Sequence, residues 1–154
     1  MTFKEEISTL YKMRFLDEDD IEVFEDILNK LCYQGTNDII PDLCTIFEDD
    51  IAQPSAGGDL IDTIFYIAEH NDLEDGLYKL ATGIPKMLPH AEFWAERIHR
   101  TLLNSEGLVI PYIKSLKNID SSTKQIIKEI LHFIKEDDPD LYLEKVDFIF
   151  KEVI

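Results

Sequence analysis

The sequence predicts an all-α protein, and three observations predict it. Apolar residues recur with a period near 3.6 along nearly all of the 154 residues. Between breakers, no run of four or more residues alternates strictly between apolar and polar, as a half-buried strand would require. Gly, Pro, Asn and Asp fall at intervals that cut the chain into about nine helices of roughly 8 to 18 residues joined by short turns. Short consecutive antiparallel helices of this kind make either a HEAT-like α-α stack or a compact bundle. The letters contain no self-similar repeat, so both architectures stay open.

Taken in order, Thr2 to Met13 forms the first helix, with Phe3, Ile7, Leu10 and Tyr11 facing inward. Asp17 to Gln34 is the clearest amphipathic segment. Ile21, Phe24, Ile27, Leu28, Leu31 and Cys32 share one stripe, with Glu22, Asp26, Asn29 and Lys30 opposite. Its N-terminal acids suit the positive end of the helix dipole, and Gly35 reads as a left-handed C-terminal cap. Asn37 to Phe47 forms a short helix. Glu48 to Gly58 reads as the longest loop, because Gln53-Pro54-Ser55-Ala56-Gly57-Gly58 concentrates breakers. Asp59 to His70 is nearly all apolar and is predicted to be the buried central helix.

Asn71-Asp72 caps a helix ending at Thr82-Gly83. Ile84-Pro85 and Leu88-Pro89 bracket a turn, with Pro89 in the first turn of a helix running to Leu103. Within it Phe93, Trp94, Ile98 and Leu102 read as core, and Arg97 and Arg100 as partners for acids of the first half. Ile110-Pro111 starts or kinks a helix ending near Leu116. Asp120-Ser121-Ser122 caps the next, to about Lys135, and Asp138-Pro139 caps the last. The whole chain, 1–154, reads as one helical domain.

Charge narrows the function. Fifteen Lys and Arg stand against 32 Asp and Glu, a net of −17. Met1 to Leu77 holds 20 acids and 4 bases, whereas Tyr78 to Ile154 holds 12 and 11, so the halves carry −16 and −1. Such a field repels nucleic acid and anionic membrane and steers a basic partner toward the first half. No apolar run approaches the roughly 20 residues that span a bilayer. The charged N-terminus lacks the apolar stretch of a signal peptide. Reduced, buried thiols at Cys32 and Cys44 are the expected state, and the protein is expected to be cytoplasmic.

No motif names a reaction. The two thiols and four scattered histidines have no zinc-ligand spacing, and Asp17-Glu18-Asp19-Asp20 fails the EF-hand pattern because Ile21 stands where a ligand is required. Around His90, Phe93, Trp94, Arg97, His99 and Arg100 there is no nucleophile with an aligned base. A phosphate-binding glycine loop is missing. Catalytic residues, metal and cofactor are therefore all expected to be none.

The acidic runs Asp17-Glu18-Asp19-Asp20 and Glu48-Asp49-Asp50 are solvated helix ends or a patch for a basic partner. Asp59, Asp62, Tyr66 and Glu69 extend that patch along the polar stripe of the central helix. Tyr66, an aromatic between two acids, is either an interface anchor or a ring lying on a neighbouring helix.

Leu43-Cys44-Thr45-Ile46-Phe47-Glu48-Asp49-Asp50, followed by Asp59 to His70, resembles the middle of the immunity protein 30 family. Pro89-His90-Ala91-Glu92-Phe93-Trp94-Ala95, then Arg97 and Leu103-Asn104-Ser105, resembles its second signature. The likeness runs from about Tyr11 to Ile134. The chain departs from the pattern at Phe65-Tyr66, where a histidine and an acid are typical, and at Thr101-Leu102, where Arg-Ile is typical. The resemblance implies a bacterial protein encoded beside a polymorphic toxin that protects its producer by binding that toxin. The expected partner is a basic toxin domain such as a nuclease, held by Asp17, Glu18, Asp19, Asp20, Glu48, Asp49, Asp50, Asp59, Asp62, Tyr66 and Glu69. The other reading is a helical adaptor for some unrelated protein.

Overall fold

In the computed structural model, residues 3–153 are described. Among them are nine α-helices, three short 3-10 segments and no strand. The helices are α1 (Lys4–Lys12), α2 (Ile21–Gln34), α3 (Ile40–Cys44), α4 (Pro54–His70), α5 (Leu73–Gly83), α6 (Glu92–Leu103), α7 (Glu106–Lys117), α8 (Ser121–Asp137) and α9 (Pro139–Val153). The predicted fold class is the one observed.

Contacts between helices show how they are arranged. Consecutive helices run antiparallel: Ala68 of α4 lies against Gly76 of α5, His99 of α6 bonds Tyr112 of α7, and Lys135 of α8 bonds Asp147 of α9. Among next-but-one helices, α2–α4 and α3–α5 run parallel, whereas α5 and α7 are opposed, since Ser115 near the end of α7 donates to the Glu74 carbonyl near the start of α5 at 3.0 Å. Cys32, Tyr33 and Gly35 of α2 and its end meet Thr63, Tyr66 and Ile67 of α4 in rising order. In the same way Asp38, just before α3, meets Lys79, and Cys44 meets Gly83. Helices α3, α5, α7 and α9 form one row of neighbours, with α2–α4 and α6–α8 against it.

Several local expectations are corrected. The predicted start at Thr2 lies outside the described residues, and the first helix begins at Lys4. Tyr11 is exposed, its ring covered by the Arg14 guanidinium at 4.0 Å. The acids before α2 form a 3-10 turn, Glu18–Asp20, instead of the first helical turn. Gly35 is extended at φ −75°, so it is no left-handed cap. It is glycine because a Cβ there would meet the Leu31 carbonyl oxygen at 2.6 Å and Ile39 Cδ1 at 2.8 Å. Asn37 to Phe47 splits into a 3-10 turn and the five-residue α3.

The predicted loop Glu48–Gly58 is the largest miss. Helix α4 begins at Pro54, which needs no amide donor at the first position. Gly57 then sits in the helix because it faces Trp94: a Cβ would meet that ring at 2.4 Å. The residues that read as a breaker cluster are a helix start and a packing notch. Pro89 stays outside α6, and the Leu88–Pro89 peptide is cis. Helix α7 starts at Glu106, with Pro111 inside it. Phe93 is 53% exposed instead of core. Arg100 pairs with Asp137 of α8 at 2.9 Å, not with a first-half acid. Cys44 is buried but Cys32 only half so, and both are free thiols. The caps at Asp72 and Asp120 hold: each side chain accepts an amide, from Asp75 and Thr123.

Candidate partner-binding face

Helices α2 and α4 are each apolar toward the core and polar outward, so two parallel polar stripes meet at their seam. On α4, Asp59, Asp62, Tyr66 and Glu69 are spaced three, four and three residues apart, which is one face of a helix. On α2, Glu25, Asn29 and Tyr33 step by four. Between the stripes lies a groove of about 410 Å³ lined by Glu25, Leu28, Asn29, Cys32, Asp59, Asp62, Thr63 and Tyr66. Its floor is fastened by Thr63, whose hydroxyl donates to the Asp59 carbonyl at 2.9 Å and faces Cys32 Sγ at 3.5 Å.

One end of the groove is aromatic. Tyr66 stacks on His70 with centroids 3.9 Å apart, and Tyr33 meets Tyr66 edge-on at 5.7 Å. His70 Nδ1 donates to the Tyr66 carbonyl at 2.9 Å, which holds that stack. Tyr33 itself is 77% exposed. Tyr66 thus lies among neighbouring rings while keeping part of its surface in solvent.

The other end and the walls are acidic. From Asp17 to His70 the chain has 15 Asp and Glu but a single Lys or Arg, Lys30. Lys30 is held by Glu6 at 3.0 Å, which draws the Glu6 carboxyl below its ordinary range. Among the described residues, no ion pair involves Glu25, Asp59, Asp62 or Glu69. A Lys or Arg side chain entering the groove would find carboxylates along its walls and ring faces at its end.

The remaining predicted residues are placed differently. Asp17, Glu18 and Asp19 are exposed on the turn leading into α2, and Asp20 is half-buried there. They precede α2 and do not line the groove. Glu48 is not on the surface: it is 7% exposed, its carboxylate lies 3.8 Å from Arg14, and its carbonyl accepts the Trp94 indole N–H at 3.0 Å. Asp49 is exposed but accepts the Phe93 amide at 3.3 Å, near the start of α6. Burial, with Glu92, Asp137 and Asp49 adding to it, raises the Glu96 carboxyl, while Arg100 pulls it down. Asp50 is exposed beside it. Glu48 and Asp49 therefore clamp α6 to the first half of the chain.

Sequence reading did not single out Glu25, Cys32, Tyr33 or His70 for this face. The spacing of Glu25, Asn29 and Tyr33 was the available signal. Only the parallel packing of α2 on α4 shows that it matters. Among the described residues no three His, Cys, Asp or Glu side chains converge in an arrangement that could hold a metal. No helix among them is long and apolar enough to cross a membrane.

The profile of immunity protein 30 matches residues 12–112, well over half of the chain, and takes in both α2 and α4. The chain belongs to the immunity protein 30 family. Its role is that of an immunity protein, the neutralisation of a toxin, and its partner is the cognate toxin. No match to a curated protein or to a solved structure was found.

Proposed function

We propose that this immunity protein neutralises a basic toxin domain, such as a nuclease, by seating the α2–α4 face over the toxin's cationic cleft. The observation that carries this reading is the groove itself: Glu25, Asp59 and Asp62 beside Tyr66, with no cation among the described residues to neutralise them. A nuclease cleft must be basic to hold phosphate, so an acidic face competes for the same site. The surrounding acids, Asp17, Glu18, Asp19, Asp20, Asp50 and Glu69, speed the encounter, and Tyr66 and Tyr33 supply affinity at the centre. Asp49 adds to the field while capping α6, and Glu48 acts from beneath by holding that clamp. Binding and occlusion suffice, with no chemistry on the toxin.

The test is toxin association followed in real time with purified protein. Asp59→Lys with Asp62→Lys should cut the on-rate at least tenfold and leave the helical circular dichroism unchanged. Tyr66→Ala should raise the off-rate by the equivalent of about 1–2 kcal/mol. Glu129→Lys with Glu136→Lys, in the nearly neutral half, is the control. Equal losses from both pairs of reversals would sink the assignment of this face.

A further inference from the structure

We infer that the chain forms a symmetric dimer through the seam between α7 and α9, remote from the acidic groove. A second groove of about 350 Å³ lies there, with Leu103, Val109, Ile110 and Phe148 as its apolar lining. Ile110 and Phe148 are 49% and 43% exposed, large apolar surface for a region that no helix among the described residues covers. Leu141, 47% exposed, stands seven residues before Phe148 on the same stripe of α9.

Charge indicates what covers it. Glu106, Glu144 and Lys145 are the charged residues at this seam, with Glu144 and Lys145 adjacent and opposite in sign, and Tyr78 to Ile154 as a whole carries −1. A basic toxin gains nothing here over the strongly acidic first half. A second copy, at −17, is repelled from that first half and meets balance only in the second.

The stripe is also self-complementary. A two-fold axis crossing α9 between Glu144 and Lys145 lays the two copies of the helix antiparallel. It places Glu144 of one copy against Lys145 of the other, and Leu141 against Phe148, twice over. One register thus satisfies the charged pair and the apolar pair together, as an isologous contact requires. The grooves between α2 and α4 share no helix with this seam, so both stay open to a toxin.

The test is the mass of the intact chain by sedimentation equilibrium across roughly 1 to 200 μM. The expected mass rises with concentration from 17.9 kDa toward twice that value. Phe148→Glu, and separately Leu141→Lys, should return it to 17.9 kDa with helical content unchanged. Lys145→Glu should weaken the dimer, and adding Glu144→Lys should restore it. Added salt should leave the dimer intact or tighten it, because salt screens the repulsion between copies. A mass of 17.9 kDa at every concentration would overturn the proposal. So would a dimer that survives Phe148→Glu and Leu141→Lys, one that dissolves in salt, or a double swap that fails to recover the mass.

Discussion

Single residues in this chain take their meaning from what they face. Gly57 and Gly58 are neighbours in α4, and both have ordinary negative φ. Gly57 abuts Trp94, whose ring leaves no room for a Cβ, whereas a Cβ on Gly58 would meet nothing within 4 Å. Replacing glycine by alanine inside a helix normally stabilises. Gly58→Ala should therefore raise stability in urea by about 0.5–1 kcal/mol, while Gly57→Ala should lower it by about 1–3 kcal/mol. Equal effects at both positions would refute the Trp94 contact. The same logic explains Leu16, which adopts φ 57°, a costly region for leucine, while being 1% exposed. Burying the side chain offsets a backbone cost of about 1–2 kcal/mol.

At the scale of elements, the α6–α7 pair is joined by a fully buried polar contact. His99 Nδ1 donates to the Ala95 carbonyl at 2.7 Å, and the Tyr112 hydroxyl donates to Nε2 at 2.7 Å. Burial pushes the imidazole from 6.5 down to about 4, against a smaller opposing effect of the Ala95 carbonyl. The unfolded chain thus takes up a proton at His99 that the folded chain refuses. The full contribution is present above about 6.5 and is lost as pH falls toward about 4, by up to about 3 kcal/mol. Urea midpoints measured between those limits should show this slope, and His99→Gln should flatten it. The difference between the two profiles isolates the imidazole from the carboxylates. Tyr112→Phe strands Nε2 without a donor and should cost about 1–3 kcal/mol at neutral pH.

For the whole molecule, the charge asymmetry acts on folding and on binding in opposite senses. The acids from Asp17 to His70 repel one another in the folded chain, and that repulsion is long-range and screened by salt. Raising sodium chloride from low to physiological concentration should raise the thermal midpoint by a few degrees. The same change should slow toxin association several-fold, because it screens the steering field. A calorimetric series and an on-rate series over one salt range check both. A midpoint that falls with salt would mean that ion pairs such as Arg100–Asp137 outweigh the repulsion.

The sequence by itself determined the class of fold, the helix count and the two capping aspartates, Asp72 and Asp120. Periodicity and cap chemistry are local, set by residues within a few positions of one another. It also determined the uneven charge, which needs no structure, and it carried the family likeness. What only tertiary structure decided depends on contacts between distant segments. Gln53 to Gly58 reads as a loop until Trp94 is seen to need Gly57. Glu48 and Asp49 read as surface acids until α6 is found docked on them. Asp59, Asp62 and Tyr66 were legible as one stripe, but Glu25, Tyr33 and Cys32 joined them only when α2 came to lie parallel to α4. A helix stripe shows which residues face outward together; which second stripe completes a groove is settled by packing, and packing is not encoded within one turn of the chain.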